Sequence, residues 1–329
     1  MRVTVLGAGS WGTSVASLLA GRHDTVLWAR DEQLARSINR TNENTKYLPG
    51  ISLPGSLRAT SDLAEAAGHA QMLIVGVPTS AFRVTLEAAA ASVEPWIPVV
   101  SLAKGLEQDT HLRMTEVIAQ VLPGRPAAAL TGPNIAREIV SGNAAASVIA
   151  TPDLAVAQAL QRILQRGLFR VYTNHDVIGC ELGGALKNVI AIASGLAQGL
   201  YVGDNTRAAV MTRGLAELTR LGVAMGAQPE TFAGLAGMGD LMVTCMSPHS
   251  RNRHVGEQLG LGRSVEEIVA SMSMVAEGVR TVVVVHQLAE MYGIAMPVCE
   301  SIYGVVTGAI RADEAYRGLR EAGHEAQPG

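Results

Sequence analysis

Cysteine is scarce in this chain, with three in 329 residues, at Cys180, Cys245 and Cys299. They are unclustered and never in CxxC spacing, which argues against a disulfide framework and a zinc site and fits a reducing cytoplasm. Charge of either sign is sparse: charged residues make up 17% and the formal net charge is -3. That balance gives no basic footprint for nucleic acid or an anionic membrane, so a small-molecule partner is expected. Aromatics amount to 4%, and the 48% hydrophobic content is mostly Ala, Val and Leu. No run is apolar over the roughly 18 residues that a membrane span requires. The opening MRVTVLGAGSWG turns from strand to glycine loop too soon for a signal peptide. HExxH and GxSxG are lacking, and His249 and His254 have no third ligand nearby in sequence, so no metal site or nucleophilic hydrolase is indicated.

What the chain does have is length for two domains and a change of pattern between its halves. Short runs, many of them β-branched, alternate with helical stretches, and Val3 to Leu6, Thr25 to Trp28, Met72 to Val77, Pro98 to Leu102, Ala127 to Leu130 and Ser147 to Ala150 are the candidate strands. This is the pattern of a parallel, doubly wound sheet. From about Asp176 the text becomes Ala, Gly, Leu and Met at helical spacing. The expected fold is α/β, with an N-terminal Rossmann domain over residues 1–178 and an all-helical domain over 179–329.

Gly7, Gly9 and Gly12 form GAGSWG between the VTVL strand and the helix TSVASLLA. The first glycine permits the turn, the second lets backbone approach a pyrophosphate, and the third allows close helix-on-strand packing. Phosphate would then sit on the helix N-terminus, which favours an anion. The ribose-reading position is about 20 residues on, where the chain reads TVLWARDE. Arg30 suits the 2′-phosphate of NADPH, and Asp31 keeps NADH open.

Residues 179–200 read GCELGGALKNVIAIASGLAQGL, a buried helix by periodicity with Lys187 and Asn188 in its middle. Taking an ammonium out of water costs several kcal/mol or more, so Lys187 must neutralise, find partners, serve chemistry, or snorkel to solvent past its small neighbours. Ketone reduction needs a proton delivered to oxygen as well as a hydride, and a desolvated lysine can act as that acid. Its i-4 and i-3 neighbours are Gly183 and Gly184, which would leave little bulk between the amine and a bound cofactor. Asn188, about 100° round the helix, is placed to hold a substrate hydroxyl or orient the amine.

Lys104 in SLAKGLE lies at the carboxyl edge of the sheet, where open α/β folds bind ligands. Gly132 and Asn134, in TGPN after another strand, can present donors to an oxyanion. Asp240, with Thr244 one turn later, is an acid able to pair with Lys187 or to cap a helix. Ser250, Arg251 and Asn252 open the helix that continues HVGEQL, a phosphate receptor by its donors and its N-terminus.

GAGSWGTSVA, VSLAKGLE, LTGPNIAREI, ELGGALKNVIAIASGLAQGL, GDNTRAAVMTRGLAEL, TFAGLAGMGDLMVTC, SRNRHVG and VAEGVRT together resemble the bacterial, biosynthetic NAD(P)-dependent sn-glycerol-3-phosphate dehydrogenases, over nearly the whole chain. The resemblance implies reversible hydride transfer between dihydroxyacetone phosphate and sn-glycerol 3-phosphate for phospholipid synthesis, by a cytoplasmic homodimer using NADPH or NADH, with NADPH favoured. It implies cofactor contacts at Gly7, Gly9, Ser10, Trp11, Gly12, Arg30, Lys104, Ala136, Arg251, Val275 and Glu277. Substrate contacts are implied at Lys104, Gly132, Asn134, Lys187, Asp240, Ser250, Arg251 and Asn252. Asn134 departs from the family, which commonly has a small hydroxyl residue there. Two other readings stay open: a sister β-hydroxyacid dehydrogenase or ketopantoate reductase, disfavoured by the SRN triplet, and an NAD(P)H-sensing protein without turnover.

Overall fold

The computed structural model describes residues 1–272 and 277–315. The chain divides into two compact units, Met1–Glu181 and Leu182 onward.

The first unit is an eight-stranded sheet: β1 Arg2–Leu6, β2 Asp24–Trp28, β3 Arg58–Thr60, β4 Met72–Val75, β5 Val99–Ser101, β6 Ala127–Thr131, β7 Ala145–Ala150 and β8 Phe169–Asn174. Their spatial order is β3-β2-β1-β4-β5-β6-β7-β8. The pairings are parallel, as the doubly wound pattern implies, apart from β6 with β7, which is antiparallel. Strand direction follows from the path of the connection, and local composition does not record it. The helices of this unit are α1 Ser10–Ala20, α2 Glu32–Thr41, α3 Leu63–His69, α4 Thr79–Ala89, α5 Met114–Val121, α6 Ala136–Val140 and α7 Leu154–Leu164.

Because side chains alternate along a strand, each central strand feeds two cores. Val3, Val5, Met72 and Ile74 pack with Val15 and Leu19 of α1 and Leu160 of α7. Leu6, Leu73 and Val75 pack on the other face with Phe82 and Leu86 of α4 and Ile118 of α5. The strand order reverses between β1 and β4, which makes the carboxyl ends of those two strands the ligand crevice of an open sheet. GAGSWG begins there.

A single helix, α8 Val177–Gly199, runs from the first unit into the second. It is 23 residues long with a mean hydropathy of 1.4 over its most apolar window, so by length and composition it is able to cross a membrane. This corrects the expectation that no segment reaches that length. Most of the window, 89%, is buried against protein, as in a core helix. Around it stand α9 Asp204–Ala224, α10 Pro229–Ala233, a π-helical turn Leu235–Gly239, α11 Asp240–Met246, α12 Arg251–Gly260, α13 Val265–Ser271, α14 Glu277–Tyr292 and α15 Pro297–Val306. The α8–α12 contact is backbone on backbone: a Cβ on Gly195 would lie 1.9 Å from the Arg253 carbonyl, and one on Gly256 1.9 Å from the Ile192 carbonyl.

Candidate active site

The glycine loop is shaped for a ligand as well as for a turn. Gly7 has φ +115°, and a Cβ there would lie 2.7 Å from the Gly76 backbone, so no side chain fits. A Cβ on Gly12 would lie 2.0 Å from the Gly7 carbonyl, which is the close helix-on-strand approach expected of the third glycine. Gly9 differs: its φ is -69° and a Cβ would meet nothing within 4 Å. Neither strain nor packing demands glycine there, and the open space in front of it is where a pyrophosphate fits. Gly9 is also the N-cap of α1 and makes no side-chain cap, so that helix start keeps its anion-binding capacity. The residues therefore suit a dinucleotide. Ser10 donates its hydroxyl to the Tyr47 carbonyl at 2.6 Å. Trp11 packs edge-on against Phe169, and its indole N-H is buried with no hydrogen-bond partner.

Arg30 is exposed just past β2. Asp31 is engaged elsewhere: its carboxylate caps α2, accepting from the Gln33 and Leu34 amides at 3.0 and 3.3 Å, and faces Lys46 at 3.7 Å.

At the other strand ends, Lys104 donates to the Gly132 carbonyl at 2.7 Å. Gly132 takes φ +118°, which favours glycine. Asn134 accepts from the Ser147 hydroxyl, while its amide nitrogen is buried with no partner, as is the Thr131 hydroxyl. Two unpaired polar atoms at one turn mark it as a place for a ligand. Ala136 opens α6, and its carbonyl accepts from Ser14 of α1 at 3.1 Å. The loop beyond Lys104 is fastened by Arg83, which donates twice to Glu107 at 2.9 and 2.8 Å. This hydrogen-bonded pair holds the Glu107 carboxyl below its usual range.

In the second unit Lys187 is 4% exposed and Asp240 1%. The ammonium therefore does not snorkel. It donates to Asp240 at 2.5 Å and to the Thr244 hydroxyl at 2.6 Å, and that hydroxyl donates to the Asp240 carbonyl at 2.6 Å. Asp240 is the first residue of α11, and Gly239 is its N-cap, so the acid is a partner of Lys187 and does not serve as the helix cap. Removing one member of such a buried pair typically costs about 3–5 kcal/mol. Asn188 is buried beside it. The expected gap at Gly183 is corrected: a Cβ there would lie 2.7 Å from the Ala236 carbonyl, so the small residue lets the π-helical turn pack closely instead of leaving room for a ligand.

Ser250 caps α12, its hydroxyl accepting from the Arg253 amide at 3.2 Å. Asn252 accepts from the Gly278 amide at 3.0 Å, which ties the start of α12 to the start of α14 and leaves its NH2 end to donate. Arg251 is exposed and Glu277 opens α14. Val275 lies outside the described residues.

Sequence reasoning passed over three buried charges. Glu181 accepts from the Thr115 amide at 3.0 Å and from Arg113 at 2.9 Å, anchoring the first turns of α8 to α5; burial pushes its carboxyl above the usual range despite Arg113. Arg253, next to the triplet, donates inward to the Ser247 carbonyl and Gln198 at 3.0 and 2.7 Å. Glu217 accepts from the Val298 and Cys299 amides at 2.8 and 3.1 Å, capping α15 from 81 residues away. A charge inside an apolar periodic run was the available signal for Glu181 and Glu217. Cys245, adjacent to the Lys187 network, has its thiol pushed up to about 12 by burial, which makes it a poor nucleophile.

The first unit carries an open glycine loop at a helix start that suits a dinucleotide, and the second a buried ammonium held by a carboxylate and a hydroxyl. The class so defined is a two-domain nicotinamide-dependent dehydrogenase. Models of the NAD-dependent glycerol-3-phosphate dehydrogenase N-terminus and C-terminus match residues 2–157 and 176–317. A glycerol-3-phosphate dehydrogenase [NAD(P)+] of Sphingopyxis alaskensis is 56% identical over 100% of this chain and 99% of its own. One from Mycobacterium avium is 50% identical, covering 98% and 96%. The crystal structure of the Coxiella burnetii glycerol-3-phosphate dehydrogenase superposes with a TM-score of 0.93 at 33% identity, over 97% of this chain and 98% of that one. This chain belongs to the NAD-dependent glycerol-3-phosphate dehydrogenase family. A ketopantoate reductase from Ralstonia eutropha, at 17% identity and a TM-score of 0.62, shares the fold alone.

Proposed function

We propose that this chain catalyses reversible NAD(P)-dependent hydride transfer between dihydroxyacetone phosphate and sn-glycerol 3-phosphate, with Lys187 as the general acid of reduction and general base of oxidation. The observation that carries the chemical role is the buried Lys187 ammonium held by Asp240 and Thr244. An ammonium has three donors and no acceptor, so two fixed hydrogen bonds set the direction of the amine. A nicotinamide cofactor held at the glycine loop would supply the hydride. Lys187 gives a proton to the carbonyl oxygen as charge develops there, and Asp240 keeps the amine oriented. Asn188 holds the substrate hydroxyl. Lys104, Gly132 and Asn134 form the anion-facing turn of the first unit. Ser250, Arg251 and Asn252 receive the phosphate, whose binding energy then positions the reacting carbonyl.

NADPH is the favoured cofactor in this reading, because Asp31 is committed to capping α2 while Arg30 stays exposed at the strand end. A cytoplasmic homodimer supplying glycerol 3-phosphate for phospholipid synthesis completes the proposal. Light scattering on the purified chain tests the dimer.

The decisive assay offers NADPH and NADH with dihydroxyacetone phosphate or ketopantoate, and NADP+ and NAD+ with sn-glycerol 3-phosphate or a β-hydroxy acid. Turnover with the phosphorylated triose is expected. Turnover confined to a carboxylate substrate, or cofactor binding with no turnover of any of them, overturns the reading.

A further inference from the structure

The inner face of α9 is apolar except at two positions. Val210, Gly214, Leu218 and Leu221 are buried there, together with the α15-capping Glu217, whereas Asp204, Asn205, Ala208 and Ala209 are exposed. Arg207 stands one turn before Val210 on the same stripe, with its side chain 25% exposed and its Nε buried. This stripe packs on α8, since a Cβ on Gly214 would lie 2.5 Å from the Ile190 side chain, three residues beyond Lys187.

The hydrogen bonding of Arg207 is incomplete. One terminal nitrogen donates to Asp204 at 3.2 Å, and the Asp204 side chain is 95% exposed. The Nε-H of Arg207 is buried with no hydrogen-bond partner. A buried, unpaired donor on a charged group is costly and calls for an acceptor. Arg207 also acts through space on the Cys245 thiol, which Lys187 and Asp240 influence as well. Cys245 directly follows Thr244, the hydroxyl that accepts from Lys187.

Charge complementarity identifies the acceptor. The Lys187–Asp240 pair cancels, and the water around Asp204 screens its hold on Arg207. Arg207 thus brings to α9 a positive charge that Asp204 holds only weakly. A phosphate monoester carries about -1.5 to -2 at neutral pH and accepts two parallel N-H donors from one guanidinium.

We propose that Arg207 is a substrate-specificity residue that donates its unpaired N-H and its charge to the phosphate group of the substrate, alongside Arg251. This rests on the reading above that the substrate is phosphorylated. A residue serving only to pair with Asp204 at a helix start would have no reason to bury its Nε.

The test uses full-length Arg207→Gln, Arg207→Lys and Asp204→Asn. Binding of sn-glycerol 3-phosphate is measured by calorimetry, competition by inorganic phosphate is measured in turnover, and NADPH affinity and melting are followed in parallel. Arg207→Gln is expected to weaken binding of sn-glycerol 3-phosphate and raise KM for dihydroxyacetone phosphate by about tenfold to a hundredfold, with NADPH affinity unchanged. Asp204→Asn, which removes the same ion pair but keeps Arg207, is expected to stay within about twofold of wild type. The proposal is overturned if Arg207→Gln binds like wild type, or if Asp204→Asn loses as much. If the glutamine variant does not fold, the lysine variant decides: binding equal to wild type overturns the proposal, because a point charge cannot reproduce the fork. A wild-type chain that binds sn-glycerol 3-phosphate without turning it over refutes the catalytic reading and leaves the binding comparison intact.

Discussion

Gly256→Ala adds one methyl group where α12 crosses α8, and the structure sets the size of the disturbance. The new Cβ would lie 1.9 Å from the Ile192 carbonyl, against an ordinary contact distance of 3.4 Å, a shortfall of about 1.5 Å. The obstacle is backbone and no rotamer relieves it, so the two helices must separate. Overpacking of this kind costs about 1–3 kcal/mol, or a fall of about 2 to 12 °C in Tm for a unit of this size. The shift also moves Ser250, Arg251 and Asn252, at the start of α12, away from Lys187 on α8. A displacement of about 1 Å is able to cost about a hundredfold in rate. Kinetics with dihydroxyacetone phosphate and calorimetric melting should therefore both fall, while NADPH affinity, which in the proposed reading draws mainly on the glycine loop and Arg30, should change far less. Gly203→Ala is the control, with φ -62° and nothing within 4 Å of the added atom. Wild-type melting and kcat/KM in Gly256→Ala would refute both the packing argument and the placement of the phosphate receptor on α12.

Two further outcomes follow from the first unit. Arg30→Ala is expected to raise KM for NADPH by at least about tenfold and to leave KM for NADH nearly unchanged, because a bidentate guanidinium contact exists only with the 2′-phosphate; equal effects on both cofactors would rule Arg30 out as the discriminator. Arg83→Met removes the partner that depresses the Glu107 carboxyl. A depressed carboxylate contributes stability that is fully present above its unfolded value of about 4.3 and is lost as pH falls through the lower folded value. The Tm deficit of Arg83→Met should accordingly be largest near neutrality and shrink below about pH 4.3; a deficit independent of pH would contradict the ion-pair account.

Six of the eight strands were legible in the sequence because strands buried on both faces write short continuous apolar runs, β-branched in most of them. β3 was not, since Arg58–Thr60 is a three-residue edge strand with one buried side chain. β8 alternates buried Phe169 and Val171 with exposed Arg170 and Tyr172, a period-two signal present but short. The Lys187–Asp240 pairing was anticipated because a lysine in an apolar helix requires a counter-charge, and Asp240 stood in an equally apolar context. Partners set by tertiary approach were out of reach: the Ala236 turn against Gly183, Glu181 on Thr115, and the buried Nε of Arg207 depend on helices that meet only after folding.

The most direct measurement is single-turnover hydride transfer from NADPH to dihydroxyacetone phosphate in Lys187→Met, compared with wild type. Because Asp240 would lose its buried Lys187 counter-charge, Lys187→Met/Asp240→Asn is measured beside it, with melting and NADPH titration to show that each variant folds and binds cofactor. The account predicts a loss of about a hundredfold to ten-thousandfold in both variants with cofactor affinity retained. A folded, cofactor-binding variant lacking Lys187 that transfers hydride within about threefold of wild type would contradict it.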